Sequence, residues 1–487
     1  MSPLEEFANS LRQPELKIRI QKGLIGDDIV IDGPYGPKQM IYADYVASGR
    51  ALTQVEDFLR YVVLPYYANS HTQASYCGNF ITRLREDARA EISRLTGAGP
   101  DNSVIFTGSG STAGINHIVS LLDFEAERAS GRRAVVLVGP YEHHSNLLPW
   151  RECGADVIEI PEGAEGGPDM VALKQALTAS CDANLIVGAF SAASNVTGIV
   201  TDVDAVTRML KSHRAFAIWD YGCAGPYIPM QLNVGTDCEK DAIVFSTHKF
   251  AGGPGASGVT LIRNTIVRNK RPSRPGGGTV SFVSPWGHSY STNVTAREEG
   301  GTPNITGDIR AALVLMIKVA LGQQWLTERQ NDLRRRAEKV WLQNSRIELL
   351  GNREASEVLP IFSFRIRTKN GGLVHHQLFT KMLSDVYGVQ ARGGCACAGA
   401  YGHRLLDMQK AESDSIFSAI QAGVETEKPG WVRLNLSALM SDEKVDAIIS
   451  GVDTLAKNAS RYFDDYEADT ATARFTHKEV AGEIPQL

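Results

Sequence analysis

Short apolar segments alternate with amphipathic segments after about residue 100, and this alternation restricts the possible folds more than any other feature. Amphipathic segments at 115–122, 170–179 and 203–213 have the length of helices. Alternation of this kind is typical of a mainly parallel sheet flanked by helices. The sequence therefore predicts an α/β fold with a mainly parallel seven-stranded sheet. The seven predicted strands are 104–106, 134–138, 157–160, 185–190, 216–219, 243–245 and 258–262.

In such sheets, ligands bind at the loops that follow the carboxyl ends of the strands. The predicted strand 243–245 leads into Ser246, Thr247, His248 and Lys249, and a glycine-rich turn follows at 252–255. A lysine at a strand end can be kept from bulk water, which favours the uncharged amine that forms a Schiff base. The neighbouring hydroxyls and imidazole can bind an anion. Taken alone, the motif also fits a surface lysine that closes a strand.

Polar groups follow several other predicted strands. The segment 108–112 (Gly-Ser-Gly-Ser-Thr) precedes a helix, where backbone N–H groups favour a phosphate, although most such turns only cap a helix. The segment 141–146 (Tyr-Glu-His-His-Ser-Asn) and the pair Ser194-Asn195 each come after a strand. Asp220 closes the apolar strand 216–219, and a carboxylate there is costly unless it has a cationic partner.

Residues 264–308 interrupt the alternation with Gly, Pro and polar residues, so a long functional loop is predicted there. A long helix over 309–337, strands at 360–366 and 432–436, and helices at 373–387 and 443–457 follow. These elements predict a smaller α+β domain. We therefore expect a large cofactor-binding domain at 40–308, a small domain from 1–39 and 309–463, and a loosely held polar extension at 464–487.

Composition and charge exclude several classes of partner. The net charge is 50 − 55 = −5 without a basic block, so neither nucleic-acid nor anionic-membrane binding is predicted. No apolar run approaches the roughly 18 residues of a membrane helix. The seven cysteines are an odd number and widely scattered, which indicates reduced thiols and a cytoplasmic location.

Together, the motifs between about residues 42 and 457 resemble the aminotransferase class V enzymes, specifically the cysteine desulfurase and selenocysteine lyase group. The resemblance implies pyridoxal-phosphate fold type I, pyridoxal 5′-phosphate as cofactor and a homodimer. It implies that Lys249 forms the Schiff base, that Asp220 keeps the ring nitrogen protonated, and that His143 stacks on the ring. Asn195 matches the amide that faces the ring hydroxyl and the substrate. Further implied cofactor contacts are Ser111, Thr112, Ser246 and His248 around the phosphate, Cys223 where the family usually has glutamine, and Thr279 in a segment that reaches the partner's phosphate.

The segment 392–399 (Arg-Gly-Gly-Cys-Ala-Cys-Ala-Gly) carries the most specific part of the resemblance. Family desulfurases place a nucleophilic cysteine five residues after an arginine, which is the spacing of Cys397 from Arg392. Cys395 adds a second thiol, a pattern also similar to the desulfurase domain of molybdenum cofactor sulfurases. Arg433 matches the arginine that binds the substrate carboxylate. Cys395 could equally have a structural role. No metal site is predicted, because the sequence has no second closely spaced cysteine pair that could provide the remaining ligands of a zinc ion.

These observations predict a pyridoxal-phosphate-dependent cysteine desulfurase. It would cleave the C–S bond of L-cysteine or a relative to give alanine, with a persulfide on Cys397 for a sulfur-acceptor protein. The alternative within the same family is a C–S or C–Se lyase, or an epimerase-like enzyme, without persulfide transfer. A binding protein that kept the fold and lost the chemistry is the third hypothesis.

Overall fold

The computed structural model describes residues 1–70 and 72–479, which divide into two compact units. The first unit comprises Met1–Ile25, Ser48–Ser194 and Val200–Leu326. The second comprises Gly26–Ala47, Asn195–Ile199 and the chain from Thr327 onward. These divisions differ from the predicted boundaries at residues 40 and 309, because the helix Ile305–Leu321 is part of the first unit and contacts its helix Tyr76–Leu95.

A seven-stranded sheet forms the centre of the first unit, in the order β1-β7-β6-β5-β4-β2-β3. Only β7 runs antiparallel to its neighbours, and the other pairings are parallel. Every residue of β2, β4 and β6 is buried, as expected for a sheet covered on both faces. All seven predicted strands are therefore confirmed. They are β1 Asn102–Phe106, β2 Ala134–Val138, β3 Asp156–Glu159, β4 Leu185–Ser191, β5 Phe216–Asp220, β6 Ala242–Phe245 and β7 Val259–Arg263.

The helices of the first unit include the three predicted between the strands. The helix predicted over 309–337 is two helices, because Gly322 has a φ of 86° and interrupts them. The loop predicted over 264–308 contains a hairpin of Val280–Ser284 and Gly287–Tyr290. The helices are Pro3–Leu11, Leu16–Lys22, Thr53–Phe58, Tyr76–Leu95, Gly110–Leu122, Phe124–Ala129, Leu148–Glu152, Met170–Ala179, Val203–Ser212, Val294–Glu298, Ile305–Leu321 and Gln323–Trp341, the last of which continues into the second unit.

The second unit is built on an antiparallel sheet in the order β8-β9-β11-β10. Its strands are β8 Ile347–Leu349, β9 Ile361–Arg367, β10 Arg392–Gly394 and β11 Trp431–Asn435. Trp341, Phe362, Phe364 and Phe379 lie in its hydrophobic core. The helices are His376–Tyr387, Gly399–Leu405, Lys410–Gln421 and Asp442–Asn458, and the shorter strands are Val30–Ile31, Lys38–Gln39, Ile41–Tyr42, Leu373–Val374 and Val389–Gln390.

The described part of the predicted C-terminal extension is more ordered than expected. Tyr466–Asp469 and Arg474–His477 form a hairpin, and Tyr466 and His477 are buried. The Tyr466 hydroxyl donates to the Asp385 carboxylate at 2.9 Å. The hairpin is thus part of the second unit, whereas residues 480–487 lie outside the described residues.

Candidate active site

Lys249 lies at the end of a short turn directly after β6. Ser246 is extended, and Thr247–Lys249 form a 3₁₀ turn in which Lys249 N–H donates to Ser246 O at 3.0 Å. The Thr247 hydroxyl donates to Ser257 O, which fixes the turn against the following loop. Lys249 is half-buried. The fold therefore delivers this amine to the carboxyl end of the sheet, as predicted.

The segment before the helix Gly110–Leu122 makes close contact with the residues after β6. Gly110 has a φ of +64°, and a Cβ there would lie 2.5 Å from Ser246 Oγ and 3.0 Å from His248 Cε1. Ser111 N–H donates to Ser246 Oγ at 2.9 Å, and the two hydroxyl oxygens are 3.2 Å apart. Hydroxyls and an imidazole thus gather at a helix N-terminus, an arrangement that suits a phosphate group.

His248 contributes a neutral ring to this cluster. Burial and, to a smaller extent, the positive charge of Lys249 together lower the pKa of His248 to about 4. Near neutral pH the imidazole therefore carries one N–H that can donate to an anion.

Asp220, the last residue of β5, is a buried carboxylate. Burial raises its pKa, while the N–H of Gly222 (2.6 Å), the Ser111 hydroxyl and the charge of Lys249 act against that rise. A Cβ at position 222 would lie 2.6 Å from Ser111 Oγ, so glycine is needed for this approach. A buried carboxylate among mainly neutral donors is stabilised by a cation, which a protonated pyridine ring would supply.

His143 is connected to the helix Gly110–Leu122 through Ser145. Ser145 N–H donates to His143 Nδ1 at 3.1 Å, and Ser145 Oγ lies 2.9 Å from the same nitrogen. Ser145 Oγ is also 2.6 Å from Thr112 Oγ1. The structure thus brings together His143 and Thr112, both predicted from the sequence. It adds Ser145, whose only sequence signal was its place inside the segment 141–146.

Glu142 anchors the loop that carries His143. Its carboxylate accepts from Asn146 Nδ2 at 2.5 Å and from both the N–H and the hydroxyl of Ser191, at 2.9 and 2.6 Å. Burial raises the pKa of Glu142 to about 7, and these donors act against the rise. Because Ser191 ends β4, the carboxylate fixes the loop to the sheet.

Two predicted cofactor contacts have other neighbours within the first unit. The buried Cys223 thiol lies 3.7 Å from Ser194 O. Thr279 is also buried, and its hydroxyl donates to Gly276 O at 2.7 Å within its own turn. A contact from Thr279 to a partner's phosphate therefore stays a prediction.

In the second unit, Asp44 accepts from two arginines on neighbouring strands. Arg392 and Arg433 lie opposite each other across β10 and β11. Asp44 Oδ1 is 2.8 Å from an Arg433 amino nitrogen, and Asp44 Oδ2 is 2.9 Å from Arg392 Nε. Arg433 is buried, whereas the Arg392 side chain is 49% exposed. Two guanidinium groups against one carboxylate leave the cluster with a net positive charge, which suits an anionic ligand.

Asn195 connects this cluster to the cysteine loop. Its carbonyl oxygen accepts from Arg433 at 3.3 Å, and its side-chain amide donates to Ala396 O at 2.9 Å. Among the described residues, the buried atoms Arg433 Nε and Asn195 Oδ1 have no hydrogen-bond partner. Buried polar atoms are nearly always paired, so two unpaired atoms on residues that are themselves hydrogen-bonded to each other indicate a ligand position.

Cys397 lies in the tight turn from Cys395 to Ala398. Ala398 N–H donates to Cys395 O at 3.1 Å, and Ala396 and Cys397 each have a φ of 54°. Positive φ at both central residues is the pattern of a type I′ turn, and each non-glycine residue in this region costs roughly 1–2 kcal/mol. Cys397 is exposed and Cys395 is half-buried. The turn therefore presents the thiol that the sequence predicted as nucleophile.

The family model described as aminotransferase class V matches residues 41–448, which is most of the chain. The chain belongs to the aminotransferase class V family. Members of this family use pyridoxal phosphate, so the predicted cofactor is confirmed. The helix N-terminus with its hydroxyls, the buried Asp220 and Lys249 fit this group.

Known relatives and structures agree with this family. The chain is 26% identical over 417 residues to a probable cysteine desulfurase of Vibrio cholerae, covering 85% of this chain and 93% of the relative. It is 26% identical over 367 residues to a cysteine desulfurase of Salmonella typhimurium, covering 74% and 84%. A cysteine desulfurase of Escherichia coli superposes with a TM-score of 0.70 at 20% identity, covering 90% of this chain and 98% of that one. One from Thermococcus onnurineus superposes with a TM-score of 0.70 at 21% identity, covering 86% and 95%.

The likeness to these structures confirms the predicted pyridoxal-phosphate fold type I. Within residues 1–70 and 72–479, no helix has the length and apolar character needed to cross a membrane.

Proposed function

We propose that this protein is a cysteine desulfurase, which removes sulfur from L-cysteine or a close relative and leaves alanine. The exposed Cys397 thiol, at the tip of a strained turn five residues after Arg392, is the observation that carries this assignment. The matched relatives are described as a probable cysteine desulfurase in Vibrio and a cysteine desulfurase in Salmonella, and the match to the Vibrio protein covers 93% of its length.

When bound, pyridoxal phosphate supplies an electron sink that weakens bonds at the substrate Cα. Lys249 would hold the group covalently, and its amine would move the Cα proton once substrate is bound. Asp220 would keep the pyridine nitrogen protonated through its buried negative charge. Ser111, Thr112, Ser246 and His248 would donate to the phosphate, and His143 would move a proton near the substrate sulfur.

The arginine cluster of the second unit supports binding of an amino-acid carboxylate. Arg433 is held by Asp44 and by Asn195 O, and its Nε is left for a further acceptor. Because the second arginine, Arg392, balances the charge of Asp44, the cluster becomes neutral rather than negative when a carboxylate binds. Asn195 Oδ1 is available to accept from a donor on the ligand. We assign substrate binding to Arg433 and Asn195.

Cys397 would carry the sulfur. Its thiolate would attack the substrate sulfur and form an S–S bond as the substrate C–S bond breaks. The electron pair of the C–S bond stays with carbon, which takes a proton and becomes the methyl group of alanine. The enzyme then holds a persulfide on Cys397, which we expect to pass to an acceptor protein.

We also propose that the protein is a homodimer in the cytoplasm. The hairpin formed by Val280–Ser284 and Gly287–Tyr290 exposes Phe282, Val283 and Trp286, with Trp286 92% exposed. Clustered exposed apolar side chains are typical of protein–protein contact surfaces. All seven cysteines are free thiols, which supports a reducing compartment.

A product assay tests the proposed reaction. The full-length protein, loaded with pyridoxal phosphate, is incubated with L-cysteine, and alanine, pyruvate and sulfide are measured separately. A desulfurase gives alanine in amounts equal to the transferred sulfur, and Cys397→Ser abolishes alanine while the cofactor stays bound. Cys395→Ser, the matched change two residues away, retains part of the activity. Pyruvate in place of alanine, with full activity in Cys397→Ser, would identify a lyase instead.

A further inference from the structure

Ser145 lies between His143 and Thr112 and contacts both side chains. Its hydroxyl oxygen is 2.9 Å from His143 Nδ1 and 2.6 Å from Thr112 Oγ1. Its backbone nitrogen is 3.1 Å from the same His143 nitrogen. All three residues belong to the first unit, where Thr112 lies in the first turn of the helix Gly110–Leu122.

The directions of these hydrogen bonds follow from the donors present. A backbone N–H can only donate, so His143 Nδ1 is an unprotonated acceptor. The Ser145 hydroxyl, which faces the same nitrogen, must then give its single proton to Nδ1. The Ser145 oxygen remains as an acceptor for the Thr112 hydroxyl. The proton of the neutral His143 ring is consequently on Nε2.

We propose, on the basis of the function proposed above, that Ser145 is a positioning residue for His143. It fixes the Nε2-protonated tautomer and the plane of the ring, so that the nitrogen which exchanges a proton near the substrate sulfur is always the same one. Without the hydroxyl, Nδ1 loses its 2.9 Å contact and retains the 3.1 Å bond from the backbone N–H, so the ring gains freedom to turn and to change tautomer.

Titratable and charged groups nearby have other contacts. The His144 ring centroid lies 6.1 Å from that of His143, and His144 in turn feels the charge of Arg151. The Glu142 carboxylate is directed to Asn146 and Ser191. The Ser145 hydroxyl therefore contacts the His143 ring directly, and a single substitution can remove this contact.

Chemical labelling tests this role without reference to catalysis. Diethyl pyrocarbonate acylates the unprotonated nitrogen of an imidazole, which in His143 is the nitrogen covered by Ser145. We expect slow labelling of His143 in the full-length wild type and labelling several-fold faster in Ser145→Ala, mapped by fragmentation of the peptide. His144, in the same peptide, serves as internal reference and keeps its rate. Ser145→Thr retains a hydroxyl and restores slow labelling.

Steady-state kinetics with L-cysteine supply the second readout. In Ser145→Ala, kcat falls on the order of tenfold or more while KM changes little, because a general acid–base group is misplaced and carboxylate binding is untouched. The control is Ser130→Ala, which removes an exposed hydroxyl bonded only to its own helix at Ala126 O. If the wild type makes no alanine, the proposed function fails, and the labelling rates still decide the role of Ser145. Equal labelling of His143 in wild type and Ser145→Ala, or an unchanged kcat, would overturn the proposal.

Discussion

Asp44 and Asp220 are both buried carboxylates, but their surroundings differ in charge. Asp44 accepts from two guanidinium groups, so its cost of burial is offset within the chain. Asp220 has the N–H of Gly222, the Ser111 hydroxyl and the charge of Lys249 to offset burial, and burial still raises its pKa. Among residues 1–70 and 72–479 no ion pair to Asp220 is seen, and a buried acid of this kind suits a bound group that supplies a cation.

We expect Asp220→Asn to lower turnover by about a hundredfold or more, because an amide does not stabilise a protonated pyridine and the barrier rises by roughly 3 kcal/mol. The visible absorbance of the bound cofactor should shift as well, since the ring loses its proton. Asp237→Asn, a change at an exposed carboxylate that contacts Arg208, is the matched control and should leave both readings unchanged. Normal turnover in Asp220→Asn would show that this carboxylate is structural.

The sequence pointed to Lys249, Asp220 and Cys397 because each follows a strand or lies in a motif readable over a few residues. It gave Asp44 no role, because the partners of Asp44, Arg433 and Arg392, are hundreds of positions away in the chain. Ser145 was missed for a different reason. A serine between a histidine and an asparagine has many uses, and only its contacts with His143 and Thr112 in the folded chain select one.

At the scale of helices and strands, the elements that could be predicted from the sequence are those with buried side chains. β2 and β4 are buried throughout, so their sequences read as continuous apolar runs. The hairpin of Val280–Ser284 and Gly287–Tyr290 is mostly exposed, and it therefore has no inward-facing pattern that distinguishes it from a loop. The break at Gly322 was missed because apolar and charged residues continue on either side with helical spacing.

The helix Ile305–Leu321 contains a buried lysine that makes the stability of the protein depend on pH. Lys318 donates to Ile228 O, and burial lowers its pKa from 10.5 to about 7. Between about pH 7 and 10.5 the unfolded chain therefore binds more protons than the native state at this site, so this residue makes the unfolding free energy rise with pH across that window. Below about pH 7 the contribution of this residue no longer changes.

We expect Lys318→Met to remove this dependence. Thermal unfolding of the wild type, followed from pH 7 upward, should show a melting temperature that rises more steeply with pH than that of the variant. Lys174→Met is the control. Lys174 is exposed on the helix Met170–Ala179, so the melting temperature of this variant should depend on pH as that of the wild type does. Parallel curves for wild type and Lys318→Met would contradict a neutral buried amine.

At the scale of the whole molecule, the hairpin of Val280–Ser284 and Gly287–Tyr290 is unusual because its apolar side chains are exposed in the single chain. Phe282 and Val283 are 63% and 62% exposed, and Trp286 is almost fully exposed. Association with a second copy would bury these side chains, and each large apolar side chain buried contributes about 1.5–3 kcal/mol. The hairpin therefore supports the proposed homodimer.

Sedimentation velocity of the purified protein should show a dimer for the wild type. Trp286→Ser should shift it toward the monomer, because the largest exposed side chain of the hairpin is lost. Val171→Ser, which removes another exposed apolar side chain from the first unit, should leave the dimer intact. A monomeric wild type, or a dimer equally stable in Trp286→Ser, would rule out this hairpin as the contact surface.

Peptide mass spectrometry tests the central claim, the transfer of sulfur to Cys397, most directly. The wild-type protein is incubated with L-cysteine without an acceptor, alkylated and digested, and the peptide that contains Cys395 and Cys397 is fragmented. We expect a gain of one sulfur atom located on Cys397, absent from Cys397→Ser and present in Cys395→Ser. A peptide without added sulfur, from protein that consumes L-cysteine, would contradict the account.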